Sequence, residues 1–112
     1  MDTTLVTGAS GFIGSHLMRK LKRRGLPARG VSRQALPGMM HVPSYGPDCD
    51  WREHLKGIRT VVHLAARVHV MHETADDPLV QFRHANVAAT ANLARQAAAA
   101  GVKRFVFLSS LK

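Results

Sequence analysis

The stretch Thr7-Gly8-Ala9-Ser10-Gly11-Phe12-Ile13-Gly14 decides the fold, because it joins an apolar run to a segment with helical periodicity. Gly8 can form a tight turn, Gly11 leaves room for a phosphate to approach the backbone, and Gly14 lets the first helical turn pack closely on the strand. Backbone N–H groups at a helix N-terminus bind pyrophosphate. The stretch therefore predicts a dinucleotide-binding unit of strand, loop and helix.

Two other interpretations of the glycine loop are less favoured. A nucleoside triphosphate loop needs Lys and then Ser or Thr after its last glycine, whereas Ser15-His16 follow Gly14 here. A tight turn that binds no ligand stays open, because this glycine spacing alone occurs by chance in about a few per cent of chains of this length. The order of strand, loop and helix favours the ligand-binding interpretation.

Length and composition indicate one globular domain of an ordinary kind. The chain has 112 residues, 46% of them hydrophobic, with neither a basic N-terminal leader nor an apolar run long enough to span a membrane. Its single cysteine, Cys49, cannot form an internal disulfide. We expect a cytoplasmic protein in which Cys49 is structural or incidental.

The formal net charge of +9 raises the alternative of a nucleic-acid-binding protein. Much of this charge falls on the polar side and C-terminal end of the first helix, and the aromatic residues lie at core spacing rather than between basic ones. A solvated helix face therefore explains the charge better than a nucleic-acid surface. Its basic residues are Arg19, Lys20, Lys22, Arg23 and Arg24.

Periodicity and breaker residues predict an alternation of strands and helices. We expect strands at 4–7, 28–32, 40–42, 60–66 and 104–109, and helices at 12–24, 51–56 and 78–100. The runs 60–66 and 104–109 are continuously apolar, which is typical of parallel strands covered on both faces.

Local patterns add detail to three of the helices. The short helix 51–56 is predicted from a reciprocal capping pattern of Asp50 and Glu53, with Trp51 and Leu55 buried. Gly25 and Gly101 are expected to end the two long helices. Residues expected to share a face are Ile13, Leu17 and Leu21 in the first helix, and Phe82, Ala85, Ala89, Leu93 and Ala97 against the sheet in the last.

The end of the second strand is where this type of fold contacts the adenosine ribose. An acidic residue there would accept from the 2′-hydroxyl of NAD, but the chain has Ser32-Arg33 and no acid between 28 and 47. Arg33 suits a 2′-phosphate, which favours NADP slightly over NAD, while an exposed loop arginine is the alternative. No metal site is expected, since the histidines and the acid concerned lack zinc-ligand spacing. They are His63, His69, His72 and Glu73.

Four motifs in order resemble the extended short-chain dehydrogenases, and more narrowly the NAD-dependent epimerase/dehydratase family that acts on nucleotide sugars. The motifs are Thr7 to Gly14, His63-Leu64-Ala65-Ala66, Asn86-Val87 and Phe107-Leu108-Ser109-Ser110. The resemblance covers essentially the whole chain. It implies an α/β fold of the Rossmann type, a doubly wound parallel sheet of about five strands in the order 3-2-1-4-5.

The same resemblance implies a set of cofactor contacts. The pyrophosphate would lie on the glycine loop, the adenosine ribose near the end of the second strand, and the inner half of the cofactor along the fourth strand. The implied residues are Gly8, Ser10, Gly11, Phe12, Ile13, Gly14, Ser32, Arg33, Leu64, Ala65 and Ala66. Ser44 and Tyr45 stand where relatives carry an Asp-Leu pair that touches adenine.

The resemblance also implies a catalytic serine that hydrogen-bonds the reacting sugar oxygen; Ser110 matches it best, with Ser109 as the alternative. The family's Tyr-x-x-x-Lys pair is absent from these 112 residues, because the only tyrosine, Tyr45, is followed four positions later by Cys49. We therefore expect the NAD(P)-binding N-terminal part of such an enzyme, without its substrate-binding region and inactive alone. A free-standing nucleotide-sensing module is the alternative. The long alanine-rich helix leaves a homodimer open.

Overall fold

The computed structural model describes residues 2–64 and 78–108, and within 78–86 it describes the backbone alone. The five strands of these ranges form one parallel sheet in the order β3-β2-β1-β4-β5. This order confirms the predicted Rossmann-type fold class. The elements are β1 (Thr3–Thr7), α1 (Phe12–Arg23), β2 (Ala28–Ser32), β3 (Met40–His41), β4 (Ile58–His63), α2 (Pro78–Ala99) and β5 (Arg104–Phe107).

Strand β1 lies at the centre of the sheet, between β2 and β4. Leu5 pairs with Val61 and Val61 with Phe105, so these three residues form a row across the sheet. Because side chains alternate along a strand, this row faces one side of the sheet and its neighbours in sequence face the other. The second row runs through Val6, Val62 and Val106.

The two faces of the sheet carry different layers. The Leu5 face holds the main hydrophobic core, in which Trp51, Leu55 and Leu93 of α2 are almost fully buried. On the Val6 face, Met18 of α1 packs so closely on Gly30 that a Cβ there would lie 3.0 Å from its Cε atom. The helices therefore cover opposite faces, as expected for a doubly wound sheet.

Several predicted boundaries and faces are confirmed. The glycines expected to end the long helices, Gly25 and Gly101, have φ angles of +69° and +88°. Leu93 and Ala97 are buried as predicted, whereas Ile13, expected to share a face of α1 with Leu17 and Leu21, is 58% exposed. Its position in the first turn of α1, beyond the edge of β1, explains that exposure. Neither helix, over the part of the chain described, is long and apolar enough to cross a membrane.

The prediction of a helix at 51–56 is wrong, although its two buried side chains were predicted correctly. Trp51 and Leu55 are each 1% exposed, but residues 52–57 form successive hydrogen-bonded turns instead of a helix. The carboxylate of Asp50 binds Arg52, through both its backbone N–H and its guanidinium, so the expected reciprocal cap with Glu53 does not form. Arg29 then donates to two carbonyl groups of these turns, which fixes them against β2.

The fourth and fifth strands differ from the predictions in their residue bounds, and the fifth also differs in its burial. Strand β4 begins two residues earlier than expected and ends at His63, and β5 ends at Phe107. Predicted burial of β5 on both faces is wrong, since Val106 and Phe107 are each 44% exposed. The reason is position, because β5 forms an edge of the described sheet and an edge strand lacks neighbours on one side.

Two side chains of α2 hold the loop that precedes the turns. Asn92 and Gln96 both donate to the carbonyl oxygen of Cys49, at 2.9 and 2.8 Å. The side-chain oxygen of Gln96 accepts the backbone N–H of Trp51 at 2.7 Å. We call Asn92 and Gln96 the amide clamp; it joins α2 to the chain segment Cys49–Trp51, directly before the turns at 52–57.

Candidate functional site

The glycine loop connects β1 to α1 at the carboxyl edge of the sheet. Gly8 has a φ of +68°, a conformation that favours glycine, and accepts the N–H of Gly11 at 3.1 Å. Gly11 is the N-cap of α1 and accepts the N–H of Ser15 at 2.8 Å. The N–H groups that precede Ser15 therefore have no partner within the helix and point out of its N-terminus. This end of α1 carries the partial positive charge of the helix dipole.

Gly14 sets how closely α1 approaches the loop. A Cβ at this position would lie 2.0 Å from the carbonyl oxygen of Gly8 and 2.8 Å from the Cα of Ala9, both of which are backbone atoms. At Gly11 the nearest atom is the same Gly8 oxygen, at 3.4 Å. Of these two glycines, only Gly14 is therefore required by the packing around the loop. The open surroundings of Gly11 leave space above the loop.

Ser10 ties the loop to the end of β2. Its hydroxyl lies 3.1 Å from the hydroxyl of Ser32, which also accepts the backbone N–H of Gln34 at 3.0 Å. Ser32 is 1% exposed. Its hydroxyl is thus used inside the protein, and its contribution to the site is to shape the junction between the glycine loop and β2.

Arg33 lies next to this junction, on the exposed side. Its guanidinium carbon lies 5.7 Å from the centre of the Tyr45 ring, within the range of a cation–π contact. The Tyr45 hydroxyl donates to the carbonyl oxygen of Val31 at 3.2 Å. Burial raises the pKa of Tyr45, and the Gly8 backbone N–H beside the hydroxyl and the Arg33 charge act in the opposite direction. One aromatic side chain thus contacts both the end of β2 and Arg33.

Thr7 joins the ends of β1 and β4. Its hydroxyl accepts the backbone N–H of Leu64 at 3.0 Å and lies 2.7 Å from Nδ1 of His63. A hydroxyl has one proton and two acceptor lone pairs, so the direction of the bond with Nδ1 depends on the tautomer of His63. In either direction, one threonine hydroxyl joins the ends of the two strands.

His63 is held neutral in the interior. Its side chain is 3% exposed, and burial lowers the pKa of His63 from 6.5 to about 4. The imidazole stacks on the ring of Phe107, with 5.5 Å between ring centres. A hydrogen bond to β1 and a ring contact to β5 therefore meet at one residue of β4.

The structure gathers the glycine loop, Ser32, Arg33 and Leu64 along the carboxyl ends of β1, β2 and β4. Phe12 and Ile13 are 81% and 58% exposed above the loop, and Leu64 is half-buried. Four of the predicted residues, together with three that bear on the metal question, lie outside the described residues. They are Ala65, Ala66, Ser109, Ser110, His69, His72 and Glu73. Over the described ranges, no three His, Cys, Asp or Glu side chains form a metal-ligand group.

Sequence reasoning missed the parts played by Thr7, His63 and Tyr45 in fixing this edge. A polar residue that ends each of two buried strands was a signal for the first pair, because carboxyl ends of adjacent parallel strands meet. Tyr45 gave no comparable signal, since it lies within a loop rich in proline and nothing in its spacing predicts contact with Arg33 or Val31.

Comparison with curated relatives gives partial matches. UDP-glucose 4-epimerase of Vibrio cholerae is 39% identical over 113 aligned residues, and sterol demethylase protein B of Methylococcus capsulatus is 36% identical over 116. Each alignment covers 96% of this chain and 34% of the relative. The chain thus spans about a third of the length of these relatives.

A solved structure and a family model agree with the fold. MoeE5 in complex with UDP-glucose and NAD superposes with a TM-score of 0.76 at 36% identity, over 99% of this chain and 37% of MoeE5. The model of the NAD dependent epimerase/dehydratase family matches residues 4–112. Since this match extends over nearly the whole sequence, the chain belongs to the NAD dependent epimerase/dehydratase family.

Proposed function

We propose that this chain is the NAD(P)-binding part of a nucleotide-sugar epimerase/dehydratase-type oxidoreductase. The observation that carries the proposal is the contact between Gly14 and Gly8, because only glycine allows α1 to begin so close to β1. This close start directs the unpaired N–H groups of α1 at the space above Gly11. A pyrophosphate in that space would receive both the N–H groups and the helix dipole.

The rest of the cofactor would follow the carboxyl edge of the sheet. The adenosine would lie toward Arg33 on the β2 side, with Ser10 and Ser32 shaping the loop beneath it. The other half would extend toward Leu64, and in the proposal continues along Ala65 and Ala66. MoeE5 and other structural neighbours bind NAD. Residues proposed to contact cofactor are Gly8, Ser10, Gly11, Phe12, Ile13, Gly14, Ser32, Arg33, Leu64, Ala65 and Ala66.

Arg33 supports a slight preference for NADP. Three ion pairs occur among the described residues, Arg52–Asp50, Lys56–Glu53 and Arg59–Asp2, and none of them uses Arg33. A guanidinium at the end of β2 suits a 2′-phosphate, whereas NAD recognition commonly uses an acid there. The bound nicotinamide would supply hydride transfer.

Catalysis is proposed to need more residues than these 112. Ser110, or Ser109 in its place, would bind the reacting sugar oxygen, but the sequence has no Tyr-x-x-x-Lys pair to act as the base. The nucleotide-sugar substrate is supported by relatives such as the UDP-glucose 4-epimerase of Vibrio cholerae. We therefore expect cofactor binding without turnover by this chain.

The proposal also includes a cellular compartment and an oligomeric state. The single Cys49 agrees with a reducing cytoplasm. The exposed Val87 on α2 agrees with a homodimer formed through that helix, and the spread of basic residues along α1 disfavours nucleic acid as a partner.

Calorimetric titration with NADPH and NADH tests the proposal. We expect saturable binding that Gly11→Val weakens at least about tenfold, because the new side chain would fill the phosphate space above the loop. Ala98→Val is the control, since it enlarges an exposed residue of α2 remote from the loop. Circular dichroism would verify that both variants are folded.

Two results would contradict the proposal. Failure of the folded wild-type chain to bind either cofactor would remove its basis, as would equal affinity of the wild type and Gly11→Val. Turnover of UDP-glucose by this chain alone would contradict the part that requires further residues.

A further inference from the structure

The contact between Arg33 and Tyr45 joins two parts of the site that lie apart in sequence. Arg33 follows β2, whereas Tyr45 belongs to the loop after β3. The guanidinium carbon of Arg33 is 5.7 Å from the centre of the Tyr45 ring. An exposed arginine has many rotamers, and ordering such a side chain costs about 1.5–2 kcal/mol of conformational entropy. A contact that holds Arg33 before ligand arrives reduces this cost at the moment of binding.

Tyr45 is itself fixed by two contacts. Its hydroxyl donates to Val31 of β2, and its ring packs on buried Trp51, with 5.3 Å between ring centres and a tilt of 55°. The ring that carries Arg33 is therefore anchored to the sheet and to the core.

We propose that Tyr45 is a positioning residue that holds Arg33 for the 2′-phosphate of a bound dinucleotide, so that discrimination between NADP and NAD depends on Tyr45 as well as on Arg33. The inference rests on the proposed cofactor function. It goes beyond that function because it assigns selectivity to a side chain that makes no contact with the phosphate. The hydrogen bond to Val31 fixes the ring beside the end of β2, and the ring in turn holds the guanidinium there.

Charge and burial favour this role over direct stacking of Tyr45 on adenine. One face of the ring carries the Arg33 guanidinium, and the ring is also tilted against Trp51. Tyr45 is half-buried and packs against the main core. Protein groups thus already contact the ring of Tyr45, so we expect Tyr45 to affect a bound ligand only by way of Arg33.

The test measures dissociation constants of NADPH and NADH for the wild-type chain and four variants. Tyr45→Phe keeps the aromatic face and removes the hydroxyl, whereas Tyr45→Leu and Tyr45→Met remove the face and keep an apolar side chain. Two such variants are made so that the test can proceed even if one of them fails to fold. Thermal unfolding would verify which of them are folded. Arg33→Gln removes the charge. The same titrations with adenosine 2′,5′-bisphosphate and 5′-AMP measure binding of the adenosine half of the cofactor alone, with and without its 2′-phosphate.

We expect the ratio of NADPH to NADH affinity to fall about two- to fivefold in Tyr45→Leu and Tyr45→Met, which is the range of an exposed cation–π contact. Tyr45→Phe should retain the wild-type ratio, and Arg33→Gln should lower it most. The two adenosine ligands should repeat this pattern. An NMR signal of the Arg33 side chain should lose its ring-current shift in the Leu and Met variants while keeping it in Tyr45→Phe.

Several outcomes would overturn the inference. Equal weakening of NADPH and NADH in the Leu and Met variants would mean that Tyr45 contacts adenine or only supports the loop. An unchanged ratio in those variants, or in Arg33→Gln, would remove the link to the 2′-phosphate, and an equal fall in Tyr45→Phe would assign the effect to the hydroxyl. Absence of all cofactor binding by the wild type would instead defeat the proposed function, and the inference with it.

Discussion

Val6 and Val106 lie in one row of the sheet, two strands apart, and yet their environments differ. Val6 of β1 is fully buried, Val62 between them is half-buried, and Val106 of β5 is 44% exposed. On the opposite face, Leu5 and Val61 are both fully buried. The sequence of β5 is as apolar as that of β1, so strand composition does not account for the difference.

Helix cover accounts for it. Helix α1 packs over β1 and β2 through Met18, whereas α2 contributes Leu93 and Ala97 to the core on the other face. Among the described elements, the Val6 face over β4 and β5 has no such helix. The glycine loop thus belongs to the part of the sheet that a helix covers, where Gly14 packs closely against Gly8.

The largest effect is expected from a substitution that pushes α1 away from the face of the sheet that it covers. Gly14→Ala would place a methyl group 2.0 Å from the Gly8 carbonyl oxygen, and the backbone must move to accommodate it. We expect a loss of about 3 kcal/mol or more in the free energy of unfolding, the upper end of the cost of overpacking. Urea denaturation would measure it.

Gly11→Ala is the matched control, since its methyl group would lie 3.4 Å from the same oxygen. We expect a change within about 1 kcal/mol, typical of a substitution without a clash. Equal stability of Gly14→Ala and Gly11→Ala would show that the close start of α1 is not a packing requirement.

A second, somewhat smaller effect on stability is expected from His63, which contacts both the helix-covered strand β1 and the exposed edge strand β5. Folding lowers the pKa of His63 from 6.5 to about 4, so the unfolded chain binds the extra proton more readily. Its contribution is therefore fully present above pH 6.5 and is lost as the pH falls toward 4. At about 1.4 kcal/mol for each pKa unit, we expect a loss of about 3 kcal/mol by pH 4, measurable as the unfolding free energy against pH.

His63→Phe keeps an aromatic ring beside Phe107 and removes the titrating nitrogens. The slope of stability between pH 6.5 and 5 should be much smaller in this variant, because that window lies above the usual pKa of exposed carboxyl groups. If both proteins showed the same slope there, another group would be responsible for it.

The smallest effect is the direct comparison of the two valines. Val6→Ala removes two buried methyl groups, and we expect a cost of about 2 kcal/mol, including a small cavity. Val106→Ala should cost less than about 1 kcal/mol because the side chain is already 44% exposed. Thermal unfolding of the two variants gives the difference. Similar costs would mean that β5 is covered in solution, for example by a second copy of the chain.

The elements at the centre of the sheet could be predicted because local signals and tertiary packing agree there. Gly8, Gly11 and Gly14 predicted the turn from β1 to α1, and the strand order followed from the resemblance to the epimerase/dehydratase family. The cover of β5 could not be predicted, since an apolar strand gives the same pattern whether or not a helix lies over it. The turns at 52–57 were missed because Asp50 has two possible partners and binds Arg52.

The candidate site was predictable to the same degree. Residues next to the glycine loop were found from motif spacing alone, whereas Tyr45 and His63 depend on register and on loop paths that link distant parts of the chain. Those paths arise from tertiary packing. The functions of Ser109 and Ser110 stay predictions from the resemblance.

The amide clamp has a consequence for how the protein is made. Asn92 and Gln96 follow Cys49 by 43 and 47 residues, so the clamp has to wait for α2 to emerge from the ribosome. At about 5–20 residues per second, this delay is on the order of 2 to 10 s. The hydrogen bonds from Gly11 to Gly8 and from Ser15 to Gly11 join residues that are close in sequence and can form first. We therefore expect the nascent chain to form the glycine-loop turn before it fixes the segment at Cys49.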